Sequence, residues 1–346
     1  MVLPKLTILD VGHGNSAVLH DHEGTLVFDA GPRSTLATYL AENKIYEIDA
    51  LLISHSDADH LGGAINLLCA PEFYVKAIYL NADAQNAGDT FEMFRVAVRD
   101  AREKRNTQVH SQLNTTLTGT FRTGSTVVEV LAPTPEDALG GPGSRDLRGK
   151  RINSNSMSAV IRLSVGGEPI ALLPGDLDAV GLANMIGHSH SLRARILVFP
   201  HHGGRPGRAD AAEFTRELCN RVLPELIIFS IGRGKHNTPN PAIVDAIMDQ
   251  LTEVRIACTQ LSEACSMEAP GRNPDHLSNQ VASGKESRKC CLGTLEVTLS
   301  HSLATLPILS EHQQFVQSSV PSALCRKRER SGPTRAHSPG TSQEKP

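Results

Sequence analysis

The stretch SHSDADH at residues 54–60 follows directly on ALLI at residues 50–53, an apolar run with the pattern of a buried strand. Four of its side chains can bind a metal ion: His55, Asp57, Asp59 and His60. A loop after a strand can direct all four to one point, and burying such groups is costly unless something neutralises them. The stretch therefore predicts a metal site. The alternative is a polar turn in which Ser56 or Asp59 caps the next helix.

Three other strand-like runs end in polar residues beside glycine. Asp29 precedes Ala-Gly, Asp176 closes Leu-Pro-Gly-Asp, and His201 and His202 precede Gly-Gly. Taken alone, Asp29 could be a turn residue, Asp176 a helix cap, and His202 an exposed side chain. Because the ends of neighbouring strands meet at one edge of a sheet, we expect these residues to complete the metal site.

The composition is that of a globular protein, with 40% apolar and 21% charged residues among 346. At about 150 residues per domain, this length allows one large domain or two small ones. The 34 basic and 37 acidic side chains give a net charge of −3, which excludes a strongly basic DNA-coating protein but not a local basic patch. With no Trp and 4% aromatic residues, an aromatic platform for single strands is not expected.

Strand-like runs are interspersed with amphipathic helical segments along residues 6–251. This pattern is typical of an α/β protein with two packed sheets and outer helices, an αββα sandwich. The sequence predicts one domain over residues 1–310, with a Cys-containing extension from about residue 255. The apolar content falls from residue 311 onward, so residues 311–346 are expected to form a disordered tail.

The seven cysteines are an odd number scattered along the chain, which is a poor disulfide framework. No apolar run reaches the about 18 residues of a membrane span, and no basic and apolar leader precedes the first strand. These features predict a reduced, cytoplasmic protein that does not enter a membrane. In the C-terminal third, Cys258, Cys265, Cys290 and Cys291 lie around His276. They could form a zinc clip, but buried free thiols are favoured because a C-x-x-C pair is missing.

Together these motifs resemble those of the metallo-β-lactamase-fold hydrolases, and among them the soluble nuclease-like domain of the competence protein ComEC. The similarity spans residues 6 to about 250. It is carried by residues 10–17 (DVGHGNSA), 28–31 (FDAG), 55–63 (HSDADHLGG), 153–158 (NSNSMS), 175–176 (GD), 201–203 (HHG), 230–232 (SIG) and 239–241 (PNP).

The resemblance implies a two-metal centre. It assigns His55 and Asp57 to the first metal, Asp59 and His60 to the second, Asp176 to a bridging position, and His201 to the second metal. The common superfamily motif has His at the position of Asp57, whereas the ComEC-like branch has Asp there. A further His ligand is not evident between residues 60 and 176. Asn155 stands at that place and is expected to approach the first metal or the substrate, and Ser158 to support the loop.

The implied function is metal-dependent hydrolysis of a phosphodiester, as in a nuclease, by a hydroxide held between two metal ions. Asp59 would also orient the nucleophile as a catalytic base. Because carboxylates favour hard ions, we expect Mn²⁺ to support activity at least as well as Zn²⁺, and Mg²⁺ also suits the site. The alternatives are hydrolysis of a small ester, lactam or thioester on the same metals, and a non-catalytic binding or regulatory subunit.

The expected partner is nucleic acid or another phosphodiester, and the sequence indicates no particular protein partner. Basic segments lie at residues 143–151, at Arg205 with Arg208, and at residues 233–236, although solvated surface loops are the alternative. The residues assigned to substrate binding or to support of the metal ligands are His13, Asn15, Asp29, Asn155, Ser158, His202, Lys235 and His236. His13 could equally be an exposed turn residue. His236 lies near the place of a Gly-His-Pro element in ComEC-like chains, where this chain has Asn-Thr-Pro.

Overall fold

The computed structural model describes residues 4–188, 191–299, 302–303 and 306–326. Within these ranges the strands are β1 (Lys5–Ile8), β2 (Ser16–His20), β3 (Thr25–Ala30), β4 (Glu47–Leu52), β5 (Tyr74–Tyr79), β6 (Gln108–His110), β7 (Arg122–Thr123), β8 (Thr126–Ala132), β9 (Val160–Val165), β10 (Glu168–Leu173), β11 (Ile196–Val198), β12 (Leu226–Phe229), β13 (Arg255–Cys258) and β14 (Leu295–Thr298). The helices are α1 (Thr35–Glu42), α2 (Ala58–Cys69), α3 (Asp89–Arg105), α4 (Pro135–Gly140), α5 (Ala179–His188), α6 (Ala211–Val222), α7 (Pro241–Gln250) and α8 (Pro307–Ser319).

The strands form two seven-stranded sheets. The first has the order β14-β1-β2-β3-β4-β5-β6, and the second has the order β13-β12-β11-β10-β9-β8-β7. In the first sheet β3 to β6 run parallel, and in the second β10 to β13 do. Parallel sheets need cover on both faces, which the partner sheet and the helices provide. The predicted αββα sandwich is confirmed.

Side-chain alternation builds the three apolar layers of the sandwich. In β12, Leu226 and Ile228 face the layer between the sheets, while Ile227 and Phe229 face the helices of the second sheet. In β3, Phe28 points between the sheets and Val27 points to the helices of the first sheet. A strand buried on both faces therefore reads as a continuous apolar run.

The C-terminal part of the chain is integral to the fold. β14 pairs with β1 in antiparallel register, with Leu6 opposite Val297. The predicted start of a disordered tail at residue 311 is wrong, because α8 continues to Ser319 and buries Leu309, His312 and Val316. These side chains recur every three to four residues, a helical spacing that the low overall apolar content concealed. The rest of the predicted tail, residues 327–346, lies outside the described residues.

The polar ends of several strands meet at one edge of the sandwich. In the first sheet, the β1–β2 turn and the carboxyl ends of β3 and β4 share this edge, because β1 and β3 both run antiparallel to β2. In the second sheet, the carboxyl ends of β10, β11 and β12 lie beside the start of β9, which runs antiparallel to β10. Ligand sites of parallel sheets form at such edges. No helix among the described residues is long and apolar enough to span a bilayer.

Candidate metal centre

The SHSDADH stretch forms the turn from β4 into α2. Asp57 occupies the N-cap position but makes no side-chain cap hydrogen bond. Its carboxylate is free, with Oδ2 3.5 Å from His55 Nε2. Ser56 Oγ instead donates to Asp83 at 2.7 Å, and Asp59 contacts His202 at 3.2 Å. The alternative of a polar turn that caps the next helix is therefore wrong, because these side chains make other contacts.

Four side chains form the tightest polar group of the described residues: Asp59, His60, Asp176 and His202. One ligand atom from each lies within 4.8 Å of the others. His60 Nε2 is 3.0 Å from Asp176 Oδ1, and His202 Nε2 is 3.2 Å from Asp59 Oδ2 and 3.4 Å from Asp176 Oδ1. Ligand atoms about 2.1 Å from a tetrahedral ion lie about 3.4 Å apart, so this spacing suits a metal.

Neighbouring groups fix the orientation of two of the imidazoles. His202 Nδ1 is 2.8 Å from the Ser230 carbonyl, which can only accept, so Nδ1 carries the hydrogen. His60 Nδ1 is 2.7 Å from Asp29 Oδ2, and Ser54 donates to the same carboxylate from its backbone N and its Oγ. When a metal ion is bound, each Nε2 of a neutral ring presents its lone pair to the ion, as metal-binding histidines do. Without a metal ion, the facing carboxylates outweigh burial and raise the pKa of both rings, so that Nε2 carries a proton instead.

The atoms at the centre of this group lack hydrogen-bond partners. His55 Nε2, His60 Nε2 and Asp176 Oδ1 are buried, and none has a partner among the described residues. Lone pairs and carboxylate oxygens facing one another repel unless a cation lies between them. The donor set of imidazole nitrogens and carboxylate oxygens therefore fits a divalent metal ion.

A second set of ligand atoms lies on the other oxygen of Asp176. His55 Nε2 is 4.0 Å from Asp176 Oδ2, and His201 Nε2 is 3.9 Å from the same atom. With Asp57 beside His55, this set has two imidazoles and two carboxylates. Asp176 thus offers one oxygen to each set, which is the position that the sequence analysis gave it.

The two adjacent histidines exchange the places expected from the sequence. His202, expected to support the site, lies in the Asp59 group, whereas His201, expected to complete that group, lies on the His55 side. Both residues have left-handed backbone conformations, with φ of 52° and 54°, inside the short turn Pro200–Gly203. This turn separates the rings, because the His202 side chain is 1% exposed and that of His201 is 35% exposed.

Gly175 and Ser158 position the Asp176 carboxylate. Ser158 Oγ accepts from the Asp176 backbone N at 3.0 Å and donates to the Pro174 carbonyl at 3.1 Å. The predicted loop-supporting role of Ser158 agrees with these bonds. Gly175 has φ of 54°, and a Cβ there would overlap Ser158 Oγ and lie 2.6 Å from Ser54 Oγ. Only glycine lets the chain pass this close to both hydroxyls.

The carboxylates of the centre are held in their ionised form. Burial alone would raise the pKa of Asp176, but the charges of His202 and His60 hold the pKa well below its usual value. Burial also acts to raise the pKa of Asp59, and the hydrogen bond from His202 with the charge of His60 outweighs it and lowers the pKa. Both groups are therefore available as anionic ligands at neutral pH.

His13 lies in the β1–β2 turn and faces the Asp59 group. Its ring stacks between those of His202 and His236, with both centroid distances 4.4 Å. Its Nε2 is 3.7 Å from Asp59 Oδ2, and its side chain is 12% exposed. Burial, followed by the charge of His202, lowers the pKa of His13 to about 3. His13 is therefore not an exposed turn residue, and it is neutral at neutral pH.

Two asparagines assigned to the site have different positions. The Asn15 backbone N donates to the Asp59 carbonyl at 3.2 Å, and its buried Oδ1 has no partner among the described residues. Asn155 begins the 3₁₀ turn Asn155–Met157, and its carbonyl accepts from the Ser158 backbone N at 3.2 Å. Asn15 thus supports the backbone of a metal ligand, and the contact of the Asn155 side chain with metal or substrate stays a prediction.

The centre opens into a cleft of about 490 Å³. The cleft is lined by His13, Asp57, Ala58, Asp59, Asp176, His201, Gly204, Arg205, Lys235, His236 and Thr238. Two of the expected cations, Arg205 and Lys235, therefore face the metal ligands. Arg233 does not, because its guanidinium donates to the carbonyls of Leu261, Ser266 and Met267, each at 2.8 Å. The basic segment 233–236 is thus part structural and part cleft lining.

The C-terminal cysteines are free thiols, as all seven cysteines of the chain are. Cys290 Sγ donates to Asp10 Oδ2 at 3.2 Å, and Cys291 Sγ is 3.2 Å from His312 Nε2. His276 instead contacts the Cys291 carbonyl. Cys265, Cys290 and Cys291 are buried and Cys258 is half-buried, and the choice between a zinc clip and free thiols in the working protein stays a prediction.

Several supporting residues had no signal in the sequence. Asp83 accepts from Ser56 and also from Ser154 Oγ, and so ties the metal-binding stretch to the loop before β9. Gln260 donates to Asp10 Oδ1 at 2.9 Å and accepts from the Arg233 backbone N at 2.8 Å. Asp10 lies in the DVGHG motif, but its partner is 250 residues away, and residue patterns do not show such a distant contact.

Comparison with known proteins finds chains that are similar to this one. Residues 9–145 match the model of the metallo-beta-lactamase superfamily. Competence protein ComA of Neisseria gonorrhoeae is 23% identical over 275 residues, which cover 75% of this chain and 31% of that protein. ComE operon protein 3 of Bacillus subtilis (strain 168) is 23% identical over 276 residues, which cover 70% of this chain and 30% of that protein.

The chain spans about a third of the length of these curated relatives. The crystal structure of a diphosphatase from the PhnP family is also similar, with 13% identity and a TM-score of 0.43, over 73% of this chain and 94% of that one. Residues 9–145 are therefore similar to the metallo-beta-lactamase superfamily, and the chain is similar over most of its length to Competence protein ComA and ComE operon protein 3.

Proposed function

We propose that the protein is a metal-dependent phosphodiesterase that acts on nucleic acid or a related phosphodiester. The observation that carries the proposal is the placement of Asp176 between two sets of imidazole and carboxylate ligands at the bottom of a cleft with cationic side chains. Two ions that share one carboxylate suit the in-line displacement of a phosphoryl group. The competence proteins that match the chain agree with a nucleic-acid substrate.

Different residues of the cleft would have different roles in such a reaction. His55, Asp57, Asp176 and His201 would hold one divalent ion, and Asp59, His60, Asp176 and His202 would hold the other. When bound, these ions would supply the Lewis acidity that activates water and offsets charge on phosphoryl oxygens. Asp59 lines the cleft, where its carboxylate would orient the attacking water. Arg205 and Lys235 bind the flanking phosphates.

His13 contributes a neutral hydrogen-bond donor. Its low pKa keeps the ring uncharged, so it can donate to a phosphoryl oxygen beside Asp59 without adding a charge next to the metal ligands. The stacked ring of His236 holds it in place from the solvent side. Mixed oxygen and nitrogen ligands suit Mn²⁺ and Zn²⁺, and we propose one of these as the working metal, with Mg²⁺ as the next choice.

The test is a cleavage assay on chain stripped of metal and reloaded with Mn²⁺, Zn²⁺ or Mg²⁺. The substrates are linear and circular DNA, RNA, and bis(p-nitrophenyl) phosphate. We expect cleavage of a phosphodiester that is lost in the double variant Asp59→Ala/His60→Ala. The matched control is Asp245→Ala on α7, which removes an acidic side chain outside the cleft lining.

The proposal fails if fully metallated chain cleaves none of these phosphodiesters. Hydrolysis of a thioester or lactam by the same preparation would then favour the small-substrate alternative. Tight binding of nucleic acid without turnover would favour a regulatory subunit. Activity with Zn²⁺ alone would contradict the expectation that Mn²⁺ serves at least as well.

A further inference from the structure

The segment at residues 141–151, here called the basic loop, presents cations to solvent. Arg145, Lys150 and Arg151 are exposed, and the described residues offer none of them an ion pair. Arg148 is neutralised by Asp146, whose Oδ2 lies 3.2 Å from its guanidinium. Asp146 is buried and accepts from the backbone N of Lys150 at 2.7 Å, which folds the loop. The loop therefore holds three uncompensated positive charges on a defined backbone.

The base of the basic loop is attached to the metal-binding stretch. Ser154 Oγ donates to Asp83, and Ser56 Oγ donates to the same carboxylate at 2.7 Å. Ser56 lies between the ligands His55 and Asp57. Arg151 is three residues before Ser154 in the chain, so its Cα lies at most about 11 Å from that anchor. The C-terminal end of the basic loop is thus tied through Asp83 to the metal-binding stretch.

Sheet topology places these cations on one side of Asp176 and the other cations on the opposite side. The loops at this edge follow the strand order β12, β11, β10, β9. Lys235 follows β12, Arg205 follows β11, Asp176 follows β10, and the basic loop precedes β9. Neighbouring strands are about 4.8 Å apart, so this row spans about 14 Å. A row of this length spans more than one phosphate of a strand.

Apolar side chains accompany the cations. Leu147, at the tip of the basic loop, is 85% exposed, and Leu139 on α4 is 90% exposed. The exposed Leu147 side chain is available for contact with an apolar surface. The faces of unpaired bases are apolar and accessible in a single strand, whereas a duplex conceals them.

We infer that the basic loop is a binding surface for one polynucleotide strand, which it holds by the backbone while the scissile linkage lies at the metal centre. This inference rests on the proposed phosphodiesterase function and specifies its substrate as a polymer. Arg145, Lys150 and Arg151 bind phosphates on one side of Asp176, and Arg205 and Lys235 bind them on the other. Leu147 packs on an unpaired base.

The test compares two triple variants of the full chain loaded with Mn²⁺. The first is Arg145→Gln/Lys150→Gln/Arg151→Gln. The matched control is Arg99→Gln/Arg102→Gln/Lys104→Gln, which removes three exposed cations from α3. Binding to a fluorescent 20-nucleotide phosphorothioate single strand, which resists cleavage, is followed by anisotropy at several salt concentrations.

The salt dependence gives a quantitative expectation. Each phosphate neutralised on a single strand contributes about 0.7 to the slope of log affinity against log salt. The basic-loop variant is expected to lose about 2 from this slope and about 100-fold in affinity at 0.1 M salt. The α3 control is expected to match the unsubstituted chain. An equal loss in both variants, or no loss in either, overturns the inference.

Two further measurements separate this inference from the proposed function. Leu147→Ser is expected to weaken single-strand binding several-fold with an unchanged salt slope, and equal affinity for duplex and single strand contradicts a single-strand surface. Hydrolysis of bis(p-nitrophenyl) phosphate by the basic-loop variant is expected to equal that of the unsubstituted chain. If the unsubstituted chain cleaves no phosphodiester, the proposed function fails, while the binding slopes still decide the role of the basic loop.

Discussion

Asp29→Asn is expected to remove one metal ion while the fold persists. Asp29 Oδ2 accepts from His60 Nδ1 at 2.7 Å and from Ser54 Oγ at 2.9 Å, and its Oδ1 accepts from the Ser54 backbone N at 2.6 Å. In the variant the amide oxygen can keep the bond to the backbone N. The amide NH₂ then faces His60 Nδ1, where a donor meets a donor.

The conflict is relieved if His60 moves its hydrogen to Nε2. That nitrogen is the one that faces Asp176 at 3.0 Å, and a protonated nitrogen cannot bind a metal. Loss of such a supporting partner costs about 10-fold to 100-fold in metal affinity, or about 1.4–2.8 kcal/mol. The effect is expected to be largest on the set formed by Asp59, His60, Asp176 and His202, because Asp29 contacts His60 directly and reaches His55 only through Ser54.

The assay is metal binding to stripped chain, by titration calorimetry and by metal analysis after gel filtration. We expect the bound metal to fall from two ions per chain toward one at limiting metal. The matched control is Asp21→Asn, another buried carboxylate that accepts several hydrogen bonds but lies outside the metal-binding group. Unchanged affinity in Asp29→Asn, or an equal loss in Asp21→Asn, would falsify the assignment of Asp29 as the group that fixes His60.

Three further predictions concern stability. Gly175→Ala is expected to lower stability by about 1–2 kcal/mol, because φ of 54° is costly for alanine, and Tm by about 2–8 °C in calorimetry. Gln260→Leu leaves the Arg233 backbone N unpaired, so the free energy of unfolding measured in urea is expected to fall by about 1–3 kcal/mol. A decrease no larger than that of Gln250→Leu would contradict this expectation. His312 is buried, and burial followed by the charge of His276 lowers its pKa to about 3. Unfolded chain therefore binds a proton at His312 below pH 6.5 that folded chain does not. The free energy of unfolding then falls by about 2 kcal/mol between pH 6.5 and pH 5 because of His312. The His312→Gln variant is expected not to show this part of the decrease.

The sequence alone determined the fold class and predicted most of the side chains that meet at the candidate metal centre. Short apolar runs predict buried strands, and polar side chains directly after such runs predict ligands, as at residues 54–60. Both signals are local, since a strand end carries its ligand within a few residues of chain. The same logic found Asp29, Asp176 and the two histidines after β11, and the structure brings all of them to one edge.

The sequence could not show which of two adjacent histidines joins which set of ligands. His201 and His202 are neighbours with identical side chains, and their left-handed backbone in the turn Pro200–Gly203 sends the rings to different places. The choice depends on the Ser230 carbonyl, 28 residues away, which fixes the His202 ring. Such a partner has no marker in a residue pattern, because any residue supplies a carbonyl.

Tertiary structure also decided the contacts that join distant segments. Helix α8 buries His312 against Cys291, although the composition near residue 311 predicted a disordered tail. Gln260 joins Asp10 to Arg233, and Asp83 joins the metal-binding stretch to the loop before β9. These bonds form between segments that only the packed sheets bring together. The sequence therefore specifies which side chains can bind metal, and the packing specifies how each one is oriented and which set it joins.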